Sequence, residues 1–549
     1  MEQNLISLIE QSIVNNWDRK ALTDYQGATL QYKEVARKIE KIHIVLQQIG
    51  IRPGEKIAVC GRNSAHWCVA FLGVVTYGAV IVPVLHEFKA DNIHNIVNHS
   101  EARFLFVGDH VWENLDERQM PALEGIISLK DLSILVSRSE KFTYVREHLN
   151  ELFCQRYPCR FLPEHIHWEA TAGMDDVAVI NYTSGTTGYS KGVMLSYRSL
   201  LSNVRYCQRM IGIKPGDSIV SMLPMGHVFG MMYDFLYGIV SGAHLWFLTR
   251  MPSPKIIAES FAEIRPRIIS SVPLVVEKIF KKNILPRVDN GVGRLLLKIP
   301  ILNDKVKARI REEAMQVFGG NFIEIIIGGA PFNAEVEHFV RQIEFPYTMA
   351  YGMTECGPII CHERWEKHRP GSCGRAADGM ELKILSADPI HIPGELVCRG
   401  ENLMSGYYKN PDATKQAIDA EGWLHTGDMA VCDSEGYIYI KGRCKNMLLT
   451  ASGQNIYPEE IEARLNNMPY VAESIVVLRQ EKLVALVYPD GDEMYANKVD
   501  QKELEQLMEE NRCLLNKELP HYAQITQIRL HPEEFEKTAK KSIKRFLYS

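Results

Sequence analysis

The sequence predicts an α/β fold, with a large multi-sheet unit over residues 1–443 followed by a small α+β unit over 444–549. Three observations lead there. The chain has 549 residues, more than a single hydrophobic core usually supports. Helical windows alternate with short β-branched runs through much of the chain before Pro393, which is the pattern of layered helices and sheets. Beyond Pro393 the pattern turns to short strands and turns, and beyond Arg443 a separate helix-and-strand unit begins.

Taken in order, the first core strand is Lys56-Ile57-Ala58-Val59-Cys60. His66 to Leu85 then runs for 20 residues without a carboxylate, lysine or arginine, long enough to span a bilayer. Gly73, Thr76, Tyr77, Gly78 and Pro83 divide it, however, so it is read as a helix, a turn and the strand Ala79-Val80-Ile81-Val82 of a covered parallel sheet. Further strands are expected at Phe104-Leu105-Phe106-Val107, Val177-Ala178-Val179-Ile180, Ser218-Ile219-Val220-Ser221 and Ile323 to Ile327. Gly394 to Gly400 and Gly436 to Ile440 read as strands of an antiparallel subdomain closing the large unit. In the small unit Pro458 to Leu465 is an amphipathic helix with proline in its first turn, followed by strands at Ser474 to Leu478 and Lys482 to Tyr488.

Composition excludes several classes. A hydrophobic fraction of 46% with 23% charged residues is that of an ordinary globular chain, so extended disorder is not expected. A net charge of −5 offers no global attraction for nucleic acid, and none is expected as a partner. The 12 cysteines show no C-x-x-C spacing and read as buried thiols in a reducing compartment. The opening Met1-Glu2-Gln3-Asn4-Leu5 lacks the basic and apolar regions of a signal peptide, so a cytoplasmic location is expected. Oligomeric state is left open.

The densest chemical signal is Tyr182-Thr183-Ser184-Gly185-Thr186-Thr187-Gly188-Tyr189-Ser190-Lys191-Gly192. Gly185 and Gly188 permit positive φ angles that turn backbone N–H groups inward, Thr183, Ser184, Thr186 and Thr187 add hydroxyl donors, and Lys191 supplies charge. Following a strand, this is a cradle for a polyphosphate. No Gly-x-x-x-x-Gly-Lys-Ser/Thr can be written here, which disfavours a P-loop NTPase. The stretch resembles the Y-T-S-G-T-T-G-x-P-K-G signature of the AMP-forming adenylating enzymes, which include acyl-CoA synthetases and luciferases. Ser190 stands where that signature has proline, which loosens preorganisation without removing a phosphate donor.

The resemblance extends over nearly the whole chain. Gly328-Gly329-Ala330-Pro331 follows a predicted strand, where glycines let bare backbone approach a flat ligand; in the resembled family this segment lies against adenine. In Tyr351-Gly352-Met353-Thr354-Glu355 the family pattern implies Tyr351 on adenine, Thr354 at the α-phosphate and Glu355 holding Mg2+, a hard cation suited to an oxygen ligand beside phosphates. A Thr-Glu pair standing alone would read as a helix cap. Gly422-Trp423-Leu424-His425-Thr426-Gly427-Asp428 matches the ribose motif, with Asp428 as acceptor, although aspartate is otherwise an ordinary turn former. Arg443 would contact ribose or phosphate, and Lys445 occupies the pivot on which the small unit would swing as a lid between two half-reactions. Ser452 and Gly453 resemble the loop that admits the thiol of coenzyme A, the other reading being an N-cap loop.

At the C-terminus the family's P-x-T-x-x-G-K is replaced by Glu536-Lys537-Thr538-Ala539-Lys540-Lys541-Ser542. Ser542 falls where the adenylation lysine belongs, and Lys541, Lys540 or Lys544 could replace it after a register shift, with Lys541 favoured. The surrounding basic cluster reads equally as a solvated tail or a peripheral membrane contact. Leu223-Pro224-Met225-Gly226-His227-Val228-Phe229-Gly230 matches a segment that in the family puts a histidine, here His227, at the acyl carboxylate; a lone histidine is more often structural. Met231 to Gly238, soft and largely apolar, suits a long alkyl chain, and the run as a whole looks most like the long-chain fatty acid CoA ligases. The resemblance therefore implies an enzyme joining a fatty acid to coenzyme A at the expense of ATP. Two alternatives stay open: delivery of the acyl group to a carrier protein or other acceptor, and a non-catalytic nucleotide- or acyl-binding protein.

Overall fold

The computed structural model describes residues 4–168, 172–183, 191–249, 254–285, 300–449, 455–480, 482–538 and 543–548. Among them an eight-stranded sheet runs, from one edge to the other, Gly406–Tyr407, Lys191–Ser196, Val177–Thr183, Val80–Val84, Lys56–Cys60, Phe104–Val107, Gly125–Ser128 and Ile134–Ser137. Its five central strands from Val177–Thr183 to Gly125–Ser128 pair in parallel, and the outer pairs are antiparallel. Alternate residues go to different cores: Ile57, Val59, Ile81, Phe104, Phe106 and Val179 join the largest cluster, whereas Ala58, Cys60, Val80, Val82, Leu105, Val107 and Ile180 join another. This period of two with apolar residues on both faces is what a covered parallel sheet requires.

The uncharged stretch from His66 to Leu85 divides as the sequence predicts, into helix Ala65–Val75 and strand Val80–Val84. Ser64 caps the helix by accepting from the Trp67 N–H, and Gly78 turns the chain with φ of 87°. The helix is apolar all round because all of it but His66 is buried. Among the described residues, no helix is long and apolar enough to cross a membrane.

A five-stranded sheet runs Ile269–Ser271, Ile325–Gly328, Tyr347–Gly352, Ile359–His362 and Arg375–Ala376. A parallel bridge between Ile219 and Ile268 links it to a four-stranded sheet that contains Ser218–Ser221. An antiparallel sheet of Met380–Leu385, Gly394–Gly400, Leu424–Cys432 and Ile438–Arg443 follows. The C-terminal region has its own cores, built on Val471–Arg479, Lys482–Pro489 and Gln527–Leu530 with helices Pro458–Leu465 and Gln501–Glu518. It touches the antiparallel sheet through Lys441 Nζ on Glu460 (3.0 Å).

Asp428 lies within the strand Leu424–Cys432, whose residues alternate between core and surface, and not in the turn of the alternative reading. Two expectations need correction. Met231 to Gly238, read as a substrate wall, is interior: Gly230–Leu236 is a turn of π-helix whose side chains are all buried, Phe235 packing edge-on against Trp67 and Phe71. Cys154, Cys159 and Cys513 are exposed rather than buried.

Candidate active site

Edges of three sheets meet at the predicted residues. Thr183 ends one strand and Lys191 begins the next, and the two stand opposite each other in the antiparallel register. Ser184, Gly185, Thr186, Thr187 and Gly188, which connect them, lie outside the described residues. The edge strand Gly406–Tyr407 pairs with Lys191–Ser196, setting Tyr407 opposite Val193. Lys191 Nζ consequently sits 4.8 Å from the centre of the Tyr407 ring. The Tyr407 hydroxyl in turn donates to Glu355 Oε1 at 2.8 Å. Burial, reinforced by Glu355, raises the pKa of this phenol, so it remains a donor. Tyr407 thus bridges the lysine and the carboxylate. Nothing local in the sequence singles it out beyond a glycine before two tyrosines.

Glu355 stands in the single 3₁₀ turn Thr354–Cys356, which is tied down from two sides. The Met404 N–H donates to the Glu355 carbonyl at 2.7 Å. From the helix Tyr197–Met210, Asn203 donates to the Cys356 carbonyl (3.0 Å) and accepts from the Ile359 N–H (3.0 Å). Sequence reasoning missed Asn203, which looks like an ordinary helix residue. Gly352, just before the turn, has no room for a side chain: a Cβ there would stand 2.0 Å from the Pro358 carbonyl oxygen. The five-stranded sheet also presents Gly328, where a Cβ would stand 3.2 Å from the Phe229 ring, and then Gly329, Ala330 and Pro331, all exposed. Gly329 holds a φ of 91° with open space where a Cβ would be, so the backbone there can meet a ligand directly.

Asp428 is only 5% exposed. Its Oδ2 accepts from the Tyr351 hydroxyl at 2.5 Å and its Oδ1 from Arg443 Nε at 2.9 Å. Burial raises the pKa of the carboxyl while Arg443 and Tyr351 oppose the shift. Each oxygen keeps further lone pairs, so two vicinal hydroxyls remain acceptable donors. Lys445, two residues beyond Arg443 in the 3₁₀ turn Cys444–Asn446, is held below its ordinary pKa by desolvation and by the charge of Arg443. His227 lies one element away: its Nδ1 accepts from the Phe229 N–H at 3.2 Å, and Phe229 meets Gly328. The structure thus joins Lys191 to Glu355 through Tyr407, with Thr183 opposite Lys191, and joins Tyr351 to Arg443 through Asp428, with Lys445 two residues beyond Arg443. His227 approaches the Gly328 strand through Phe229, and Thr354 is buried beside Glu355.

Ser452, Gly453, Lys540 and Lys541 lie outside the described residues. The described cations of the C-terminal cluster are all paired: Lys537 with Glu473 and Glu534, Lys544 with Glu536 at 3.0 Å, and Arg545 with Glu462 through two bonds of 2.7 and 2.5 Å. Lys544 is thus already engaged by a carboxylate.

The chain belongs to the AMP-binding enzyme family: the family model for the AMP-binding enzyme matches residues 9–408, and that for the AMP-binding enzyme C-terminal domain matches 445–548. This agrees with the adenylating superfamily that the motifs point to. It is 26% identical over 491 residues to the long-chain-fatty-acid–CoA ligase ACSBG1 of Rattus norvegicus, an alignment covering 83% of this chain and 66% of that one. It is 28% identical over 482 residues to 4-coumarate-CoA ligase 1 of Narcissus pseudonarcissus, covering 84% and 79%. Its fold matches the crystal structure of the anthranilate CoA ligase AuaEII in complex with anthranoyl-AMP with a TM-score of 0.79 at 20% identity, covering 99% of this chain and 96% of the other.

Proposed function

We propose that the chain is an ATP-dependent, AMP-forming acid–CoA ligase that prefers long-chain fatty acids. The observation that carries the reading is the constellation in which Tyr407 joins Lys191 to Glu355 while Tyr351 and Arg443 flank Asp428. It sets a cation and a carboxylate on one side and a diol acceptor on the other, the recognition set of a nucleoside polyphosphate. The long-chain preference draws on the names of the relatives, since the methionine-rich segment belongs to the core.

In this mechanism a fatty carboxylate oxygen attacks the α-phosphorus of ATP and the bond to pyrophosphate breaks, leaving acyl-AMP. The thiol of coenzyme A then attacks the acyl carbon and AMP departs. Thr183, Lys191 and the residues between them would hold the phosphates. Asp428 and Arg443 would hold the ribose, and Gly329, Ala330, Pro331 and Tyr351 the adenine. His227 would lie at the acid's carboxylate, and a C-terminal lysine, Lys541 or Lys540, would complete the first step. Glu355 suits Mg2+ as a single carboxylate beside phosphates, a set that this ion accepts while keeping water ligands; when bound it would neutralise the leaving pyrophosphate. Residues 1–443 would form the body and 444–549 a lid turning at Lys445, so that Ser452 and Gly453 admit the thiol in the second step. ATP, a fatty acid and coenzyme A are the proposed partners.

The test is AMP release from ATP with acids of graded chain length, with and without coenzyme A. Turnover that rises with chain length and requires coenzyme A supports the reading. Turnover only with aryl acids, or only with an acceptor other than coenzyme A, overturns its specificity.

A further inference from the structure

The segment Met222-Leu223-Pro224-Met225-Gly226 leads from the strand Ser218–Ser221 to His227 and belongs to no sheet or helix. Its buried backbone groups still need partners. Three buried side chains, one from the loop before helix Ala65–Val75, one from a strand and one from a π-helical turn, supply them. Asn63 donates to the Leu223 carbonyl (2.7 Å) and to Ser221 Oγ (2.9 Å), and accepts from the Met225 N–H (2.9 Å). Asn181, in the strand Val177–Thr183, donates to the Gly226 carbonyl at 2.9 Å. Asp234 Oδ2 accepts from the N–H groups of both Met222 and Leu223, each at 3.2 Å.

Asp234 is the unexpected member. It lies in the π-helical turn Gly230–Leu236, has no exposed surface, and is surrounded in sequence by Met231, Met232, Tyr233, Phe235 and Leu236. Among the described residues no cationic side chain pairs with it, and burial pushes its pKa up to about 7. A buried carboxylate without a counter-ion is costly, so packing alone would favour an apolar side chain here. The same turn presses on the same segment, since a Cβ at Gly230 would lie 2.7 Å from the carbonyl oxygens of Leu223 and Pro224. Irregular π turns of this kind concentrate where a helix has been reshaped for function.

We propose that Asp234, with Asn63 opposite it, is a positioning residue that fixes the backbone path into His227 and thereby sets where the substrate carboxylate is held. The inference rests on the reading of His227 given above. Asp234 and Asn63 touch none of Asp428, Tyr351 and Lys191, which are anchored through other contacts.

The experiment compares Asp234→Leu, Asp234→Asn, Asn63→Ala and His227→Ala with the full-length wild type, measuring KM for the acid and for ATP separately. A displacement of roughly 1 Å at a reacting group can cost about a hundredfold, so a rise of at least about tenfold in KM for the acid is expected for Asp234→Leu and Asn63→Ala, with KM for ATP within about twofold. Asp234→Asn keeps a carbonyl oxygen that can accept the same N–H groups and should recover most of the loss. If Asp234→Leu does not fold, Asn63→Ala reads the opposite jaw of the clamp. Parallel changes in both KM values, or an unchanged KM for the acid where His227→Ala raises it, would overturn the inference. A loss in the clamp variants with none in His227→Ala would keep the clamp and remove His227 from the acid site; no effect from any of them would remove both.

Discussion

Replacing Tyr407 by phenylalanine removes one hydroxyl and leaves the ring. The ring keeps its contact with Lys191, 4.8 Å from its centre, a cation–π interaction worth about 0.5–2 kcal/mol that phenylalanine can also make. What is lost is the 2.8 Å bond to Glu355 Oε1. A hydrogen bond to a charged group contributes about 1.5–3 kcal/mol net, so if Tyr407 aims Glu355 in the adenylation step the rate should fall about 10- to 100-fold. The assay is isotope exchange between pyrophosphate and ATP in the presence of acid, which reads the first half-reaction without coenzyme A. A companion Glu355→Ala variant and the double variant close a cycle, in which the two losses should fall short of additive because each removes one partner of the same contact. Exchange within about twofold of wild type in a folded Tyr407→Phe protein would refute the bridge as a functional element.

Three further outcomes follow from the geometry. Gly352→Ala would drive a Cβ to 2.0 Å from the Pro358 carbonyl oxygen, so it should lower stability by about 2–4 kcal/mol and disturb Tyr351 and Thr354 on either side; denaturant unfolding together with ATP binding checks both. Arg545→Met strips the partner from Glu462, a carboxylate only 7% exposed, and should cost the C-terminal unit about 3–5 kcal/mol, visible as faster hydrogen exchange in Val471–Arg479, whereas unchanged exchange would refute the buried pair. Glu324 is buried, and burial raises its carboxyl from 4.5 to about 7. The folded state therefore holds that proton more tightly than the unfolded chain does. Its contribution to stability is full below pH 4.5 and is lost as the pH rises through about 7. Glu324→Gln should thus gain up to about 3 kcal/mol over wild type at pH 8 and nothing at pH 4, and a constant difference across that range would contradict the assignment.

Local pattern carried much of the fold. Lys56–Cys60, Phe104–Val107, Gly394–Gly400 and Pro458–Leu465 occur where the periodicity of two or 3.6 and the flanking Gly and Pro place them. The strand expected from Ile323 begins instead at Ile325, since pairing with Tyr347–Gly352 fixes its start. Asp428 shows the limit of turn chemistry: Gly427 before it has a φ of 69°, a turn-like angle, yet pairing with Arg443 keeps the chain in the sheet. In the site, the motif residues were legible because each sits in a short, chemically dense stretch. Tyr407, Asn203 and Asp234 were not, because their partners are distant in sequence and appear only once the strands pair. Asp234 was hidden further by its apolar neighbours, which made its segment read as a substrate wall.

We propose that the Lys191–Tyr407–Glu355 constellation serves AMP-forming activation of an acid for transfer to coenzyme A. The most direct measurement is the release of AMP and pyrophosphate from ATP with a series of fatty acids and one aryl acid, each with and without coenzyme A. Pyrophosphate and AMP in equal amounts, turnover that peaks with long-chain acids, and dependence on coenzyme A are the expected result. Tight ATP binding without AMP from any acid would contradict it and leave a nucleotide-binding protein in its place.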